Sequence, residues 1–415
     1  MDPDIKKMIN EVHNQTIDPI CAYIYDLEGI QNHVSNMLST LPKQTNLFYA
    51  IKANPDKRII QALLPLVKGF EVASIGELSK VREVSKTVPV LFGGPGKKDY
   101  ELERAISENV SYLHVESLLE LKKLIVLAKK SNKHIQVLLR INLRTNSLPK
   151  TNISMGGRPS QFGIDEELIG EALSILREKE NTHVHFRGFH FHSLSNNLRT
   201  KLHVEMIHHY IQKVEQWKHQ YGLDVKVINA GGGFGVSYNE TPGFDWQLFT
   251  SLLAQSEALQ NLGDTQLFFE PGRFIVADYG YYIAEVVDIK MSAGQCFAVI
   301  RGGTHHNRLP ASWGHNHPFS VIHLERWSYP FQRPETKSSN VTIVGELCTP
   351  KDRLYENAEV ESLRVGDAIL FKKSGAYCWT ISHHDFLGHP HPEFYYITEG
   401  NRYGKNNNSI TKCYC

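Results

Sequence analysis

A lysine, a histidine, three successive glycines and a Glu-Pro-Gly-Arg phrase each stand where an apolar run gives out. Lys52 follows Asn46-Leu-Phe-Tyr-Ala-Ile51, which reads as a buried strand closed by Pro55. A lysine there is costly to desolvate unless neutral, paired or covalently engaged; the plain alternative is one that snorkels to solvent. Gly231, Gly232 and Gly233 could bring backbone N–H groups close to an anion, or could form an ordinary flexible loop. Arg273 adds charge of the right sign. His192 offers a flat ring or is a satisfied core histidine, and Glu270 could hold a proton on a ring nitrogen or pair with an arginine. Together they suit one ligand, an aromatic phosphorylated aldehyde: Lys52 takes the aldehyde, the glycines and Arg273 the phosphate, His192 the ring face and Glu270 the ring nitrogen. That ligand is pyridoxal phosphate.

These residues need a frame that gathers strand ends. Strand-like runs at 46–51, 69–73, 89–92, 111–115, 135–141, 186–192, 225–230 and 266–269 alternate with amphipathic segments such as 58–67, 117–130 and 202–219. Ser117 with Glu120 is a capping box for one of them. Eight such units predict a closed (β/α)8 TIM barrel, with its chemistry at the carboxyl ends of the strands. An open doubly wound sheet would want a Gly-rich turn after its first strand, which is absent here. Arg140 falls at the end of the fifth strand, and Glu71, Ser74 and Glu77 at or beyond the second. From about residue 281 strand-like runs (281–289, 296–300, 341–344, 367–371, 376–381, 394–397) follow one another without long helices. The expected organisation is an N-terminal segment 1–25 packing with the β domain, a barrel over 26–280, an all-β domain over 281–400 and a polar tail 401–415.

The 415 residues carry a net charge of +1, so nothing global points to nucleic acid or to an anionic membrane. No apolar run of about 18 residues predicts a membrane helix. The opening Met1-Asp-Pro-Asp-Ile-Lys-Lys lacks an apolar signal core, and six scattered cysteines match no zinc ribbon; a reduced cytoplasm is the expected compartment.

Seven phrases in order, Tyr49-Ala-Ile-Lys-Ala-Asn54, Glu71-Val-Ala-Ser-Ile-Gly-Glu77, His190-Phe-His192, Gly231-Gly-Gly233, Glu270-Pro-Gly-Arg273, Gly345-Glu-Leu-Cys-Thr-Pro-Lys-Asp352 and Gly375-Ala-Tyr377, carry a resemblance over residues 20–400. The chain resembles the pyridoxal-phosphate enzymes of the alanine-racemase-like barrel fold, in the branch of diaminopimelate and ornithine decarboxylases. Two phrases, His190–Asn197 and Ser382–Glu393, look most like the decarboxylases of carboxylate-siderophore assembly, one of which acts on citryl-diaminopropionate in staphyloferrin B synthesis. The resemblance implies that Lys52 carries the cofactor, His192 stacks on its ring and Glu270 meets its nitrogen. It implies that Ser195, Gly231 to Gly233, Arg273 and Tyr377 hold the phosphate. It further implies a homodimer with shared active sites, in which Cys348 comes from the partner subunit as proton donor and Asp352 supports its loop.

The chain departs from that pattern in ways that bear on substrate. Gln161 replaces the usual lysine before Phe-Gly. Thr349 stands where an acid often recognises a distal amine, Arg301 replaces an acid before Gly-Gly, and Asn229 replaces an aspartate before the glycines. The pocket has exchanged negative charge for positive charge or donors, against a diamino-acid substrate. The histidine-rich stretches 304–306, 315–317, 383–385 and 389–393 could ligate a metal, or pack ordinarily; no metal is expected, since none has the i, i+4 helical spacing. With Arg301, Arg308 and His384 they could instead line an entrance for a polycarboxylate. Arg140, Arg301, Arg308, Thr349, Asp352 and His384 are the substrate-binding candidates. The expected activity is pyridoxal-phosphate-dependent α-decarboxylation of a citryl-diaminopropionate-like amino acid. The alternatives are a diaminopimelate- or ornithine-type decarboxylase, a racemase, and an inactive regulatory homologue.

Overall fold

The computed structural model describes residues 3–144, 159–325, 327–398 and 404–405. The chain divides into two compact units, one of residues 31–237 with 242–275, the other of residues 1–30, 238–241 and 276–415. After a first strand, β1 (Cys21–Asp26), which belongs to the second of these, the larger unit holds β2 (Thr45–Ala50), β3 (Gly69–Val72), β4 (Val90–Phe92), β5 (Tyr112–Val115), β6 (Ile135–Asn142), the short β7 (Ile164–Asp165), β8 (Val184–His190), β9 (Val227–Asn229) and β10 (Gln266–Phe269). All pair in parallel in the order β5-β4-β3-β2-β10-β9-β8-β6, and β5–β6 closes the ring, with β7 alongside β6. This is the expected eight-stranded barrel. The strands are apolar on both faces because helices cover them outside and side chains fill them inside, so they read as continuous runs rather than alternations.

Local chemistry starts the barrel helices where the sequence predicts. Ser117 accepts a hydrogen bond from the Glu120 amide at 3.0 Å, opening the helix Leu118–Ser131, which ends at Asn132 in the left-handed region. Asp56 and Ser74 cap the helices Lys57–Leu63 and Ile75–Val84 in the same manner, directly after β2 and β3. Each cap fixes where a strand end stops and a helix begins, and so where Lys52 and Glu71 come to rest.

The second unit is a sheet in the order β15-β14-β12-β11-β1-β17, built from β11 (Gly280–Ser292), β12 (Gln295–Ile300), β14 (Glu335–Val344), β15 (Arg353–Arg364) and β17 (Glu393–Ile397). β16 (Ala368–Phe371) joins β11 to β13 (Phe319–Ile322). The helix Pro3–Gln15 buries Ile5, Met8, Ile9 and Val12 against Ile24, Ile283, Leu370 and Tyr395. Two expectations about this unit need correction. Residues 376–381 form turns, not a strand: Tyr377 adopts φ 59°, and a side chain on Gly375 would meet the Val276 carbonyl at 1.8 Å, so the backbone cannot continue as a pleated strand. β13 and β15 were not expected as strands. Apart from 404–405, the polar tail 401–415, with Cys413 and Cys415, lies outside the described residues.

Gly188 tests the closure of the barrel. Its φ is +151°, and a Cβ there would lie 1.8 Å from the Val227 carbonyl of the next strand. Gly188→Ala should cost roughly 2–4 kcal/mol, read as a lower denaturant midpoint; an unchanged midpoint would contradict this packing.

Candidate active site

The carboxyl ends of the barrel strands gather the residues singled out above from this unit. Lys52 lies in a single 3-10 turn, Ile51–Ala53, between the buried Ile51 and Ala53. The Tyr49 hydroxyl donates to the Asn54 carbonyl at 2.9 Å, and the Ala50 amide to the Pro271 carbonyl at 3.2 Å, so the turn is tied to the Glu-Pro-Gly-Arg segment. The ammonium reaches across to β3 and donates to Glu71 at 2.8 Å. The lysine side chain is 39% exposed while the carboxylate is 6% exposed, so the amine is sheltered yet accessible. Burial pushes the Glu71 carboxyl up to about 7, against the pull of Lys52 and with a further push from Glu270.

Glu270 follows β10 directly and sits at the centre of a buried polar cluster. Asn229 donates to its Oε1 at 2.7 Å and, through its own Oδ1, accepts the Gly231 amide at 2.9 Å. One side-chain amide thus links the carboxylate to the glycine loop. His114 and His190 flank the same carboxylate, their Nε2 atoms at 3.8 and 3.5 Å, with the two rings stacked at 4.0 Å. Burial, more than any neighbouring charge, lowers both imidazoles well below the ordinary histidine range, so both are neutral. Among the described residues these are the three donors close enough to share a metal ion. The stacking argues against that use, because a ligating nitrogen must point in its ring plane at the ion, and near-parallel rings point past one another. The histidine-rich stretches form no such group among the described residues.

His192 lies two residues beyond β8. Its Nδ1 accepts the Gly232 amide at 3.2 Å, and burial, followed by the charge of Lys52, keeps it neutral. The glycines are required where they stand. Side chains at Gly231, Gly232 and Gly233 would meet the carbonyls of Phe191, Glu270 and Leu194 at 2.4, 2.4 and 2.5 Å, and Gly231 and Gly233 have φ of +70° and +90°. The result is a stretch of bare backbone packed against His192 and Glu270. Ser195 is half-buried in the loop after β8, and Arg273, buried, opens the short helix Arg273–Val276. Arg140 is held at 2.8 Å by Glu116, which also accepts the Gly94 and Gly163 amides, and its guanidinium covers the Phe162 ring at 4.8 Å.

The remaining candidates belong to the second unit. Cys348 is exposed in a turn, while the buried Asp352 accepts the amides of Thr304 and Leu347 at 2.6 and 2.9 Å and shapes that turn. Thr349 bonds the Lys351 amide within it. Arg301 follows β12. The Arg308 backbone amide donates to the Ser382 hydroxyl at 3.0 Å, and the Arg308 Nη1 lies 3.5 Å from His383 Nδ1. His384 stacks on Trp379 at 3.6 Å. Tyr377 occupies the left-handed turn described above.

His114 and Glu116 were missed from the sequence. The signal was present in Tyr112-Leu-His-Val-Glu116, a strand whose interior carries one polar residue and whose end carries an acid, the same pattern that exposed Glu71.

An accessible lysine, a buried carboxylate held by neutral donors and a bare-backbone glycine loop at one mouth of a closed parallel barrel suit a pyridoxal-phosphate enzyme of the barrel class. The pyridoxal binding domain of pyridoxal-dependent decarboxylases matches residues 27–277, and this chain belongs to that family, with pyridoxal phosphate as its cofactor. It is 42% identical over 95% of its length, and 98% of the relative's, to the 2-[(L-alanin-3-ylcarbamoyl)methyl]-2-hydroxybutanedioate decarboxylase of Staphylococcus aureus. It is 32% identical, over 89% of this chain and 87% of the relative, to the L-glutamyl-[BtrI acyl-carrier protein] decarboxylase of Niallia circulans. The crystal structure of Helicobacter pylori diaminopimelate decarboxylase complexed with L-lysine superimposes with a TM-score of 0.81 at 27% identity, covering 95% of each chain.

Two measurements probe the site. Asn229→Leu can neither donate to Glu270 nor accept the Gly231 amide, so affinity for pyridoxal phosphate should fall roughly tenfold; an unchanged affinity would contradict the linking role of this amide. The Glu71 carboxyl, raised from 4.5 to about 7, keeps in the folded chain a proton that the unfolded chain releases. Its contribution to apoprotein stability is therefore present below the unfolded value and declines as pH rises to about 7. Glu71→Gln should flatten that decline in urea midpoints taken from pH 5 to 7.5; an unaltered pH profile would contradict the assignment.

Proposed function

We propose that this chain removes the α-carboxylate of a citrate amide of 2,3-diaminopropionate, in the assembly of a carboxylate siderophore. The observation that carries this reading is the 42% identity across 95% of the chain to the Staphylococcus aureus decarboxylase, whose name gives that amide as its substrate. Diaminopimelate decarboxylases stand at 26–29%. Thr349 in place of a distal-amine acid, and Arg301 in place of another, support the same choice.

The cofactor, when bound, supplies an aldehyde that can pass from lysine to a substrate amine and a ring that accepts the electron pair of a breaking bond. Lys52 holds that aldehyde, and Glu71 fixes the direction of its amine. Gly231 to Gly233, Ser195, Arg273 and Tyr377 take the phosphate. His192, kept neutral by burial, packs on the ring face without adding charge. Glu270 keeps a proton on the ring nitrogen, its orientation set by Asn229, His114 and His190. Arg140, clamped by Glu116, faces the substrate. Arg308, Arg301 and His384 receive the citrate carboxylates, which steers a polyanion and rejects a cationic chain end. The active unit is a cytoplasmic homodimer, in which Cys348 of the partner subunit delivers a proton to the α-carbon and Asp352 holds its turn.

The test is carbon dioxide release from this amide against meso-diaminopimelate and ornithine. A preference of roughly 10²-fold or more in kcat/KM for the amide is expected; equal or better turnover of a diamino acid would refute the substrate assignment. Arg308→Ala should raise KM for the amide about tenfold and leave cofactor content intact. Cys348→Ala should let an aldehyde from misplaced protonation accumulate; an unchanged product would remove that role from Cys348.

A further inference from the structure

The barrel has a second mouth, at the amino ends of its strands. A cavity of about 610 Å³ opens there. Its floor is aromatic: Phe48 and Phe268 are buried with ring centroids 4.9 Å apart, and Tyr112 meets Phe268 edge-on at 5.9 Å. Its rim is basic. Lys68 precedes β3, His134 precedes β6, and His185 and Arg187 lie early on β8. Among the described residues no aspartate or glutamate lines the cavity. Among the described residues neither Lys68 nor Arg187 has an ion-pair partner; Arg187 donates its Nε to Gln136 at 3.0 Å. His134 Nδ1 and His185 Nε2 share a hydrogen bond at 2.9 Å, and His183 stacks on His134 at 5.0 Å. Burial, and then His134, Arg187 and His183, all disfavour charge on His185, with no acid to offset them.

Like charges gathered without a counter-charge are held at a cost that a bound anion would remove. The aromatic floor adds a demand for a flat apolar group, and the volume lies in the range of small-molecule sites. We propose that this amino-terminal cavity binds a phosphorylated, ring-bearing metabolite of the nucleoside-phosphate class, its phosphates on Lys68 and Arg187 and its ring on Tyr112 and the histidine pair. The site is distinct from the decarboxylation site. His134 and Arg140 stand at opposite ends of β6, six residues or roughly 20 Å apart, and none of the lining residues belongs to the cofactor cradle.

The experiment is calorimetric titration of the cofactor-loaded protein, in phosphate-free buffer, with ADP, tripolyphosphate and adenosine. Loading fills the glycine cradle, so phosphate binding there does not contribute. The expected result is saturable binding of one ADP per chain, with tripolyphosphate and adenosine each at least tenfold weaker. Lys68→Gln and Arg187→Gln should each weaken ADP binding about tenfold and leave decarboxylation unchanged, while Arg187→Lys, which keeps the charge, should bind nearly as the parent does. Lys68 is exposed, so its variant folds in any case. Absence of saturable ADP binding, binding undiminished in Lys68→Gln, or tripolyphosphate binding as tightly as ADP would each overturn the proposal.

Discussion

Everything at the carboxyl mouth of the barrel depends on keeping the Glu270 carboxylate buried and correctly aimed. A buried carboxylate without partners is costly, and one paired to a permanent cation would be spent on that cation. The chain avoids both outcomes by surrounding Glu270 with neutral polar groups. Asn229 donates at 2.7 Å, and two imidazoles kept neutral by burial stand at 3.5 and 3.8 Å. The carboxylate is therefore supported by neutral groups, with no permanent cation against it among the described residues. Because Asn229 also accepts the Gly231 amide, the glycine loop and the Glu270 carboxylate are positioned by one side-chain amide.

The Lys52–Glu71 pair follows the same logic with opposite charge. Lys52 must be accessible enough to react yet held in one direction. A single 3-10 turn, pinned by Tyr49 and by the Pro271 carbonyl, supplies the position, and Glu71 supplies the direction. The two carboxylates thus stand on strands either side of β2, Glu71 against the Lys52 ammonium and Glu270 among neutral donors. At the opposite mouth of the same barrel the cations Lys68 and Arg187 line a cavity that, among the described residues, has no acid in its lining.

Much of this was legible in the sequence, because barrel strands run straight to their chemistry. Lys52, Glu71, Arg140, His192, the glycines and Glu270 all appear where an apolar run ends, and a parallel barrel brings all such ends to one rim. His114 and Glu116 were not legible as partners, since what makes them functional is contact across the closed ring. His114 meets Asn229, 115 residues away, and Glu116 meets the Gly163 amide, 47 residues away. The β-rich unit was harder to read for a different reason. β15 (Arg-Leu-Tyr-Glu-Asn-Ala-Glu-Val-Glu-Ser-Leu-Arg) is half exposed, and Asn357 in the left-handed region, with shifts in its register against β14, breaks the alternation that would announce a strand. Ala376–Ile381 erred the other way: its composition is strand-like, but a tightly packed Gly375 and the turn at Tyr377 override it.

The central claim is that one amine, at the end of the first barrel strand, carries the cofactor. Borohydride reduction of the cofactor-loaded protein, followed by digestion and peptide mass spectrometry, reads the attachment site directly. The account predicts a stable phosphopyridoxyl mass on the peptide containing Lys52 and on no other lysine in stoichiometric yield. A label on a different lysine, or none at all after loading, would contradict it.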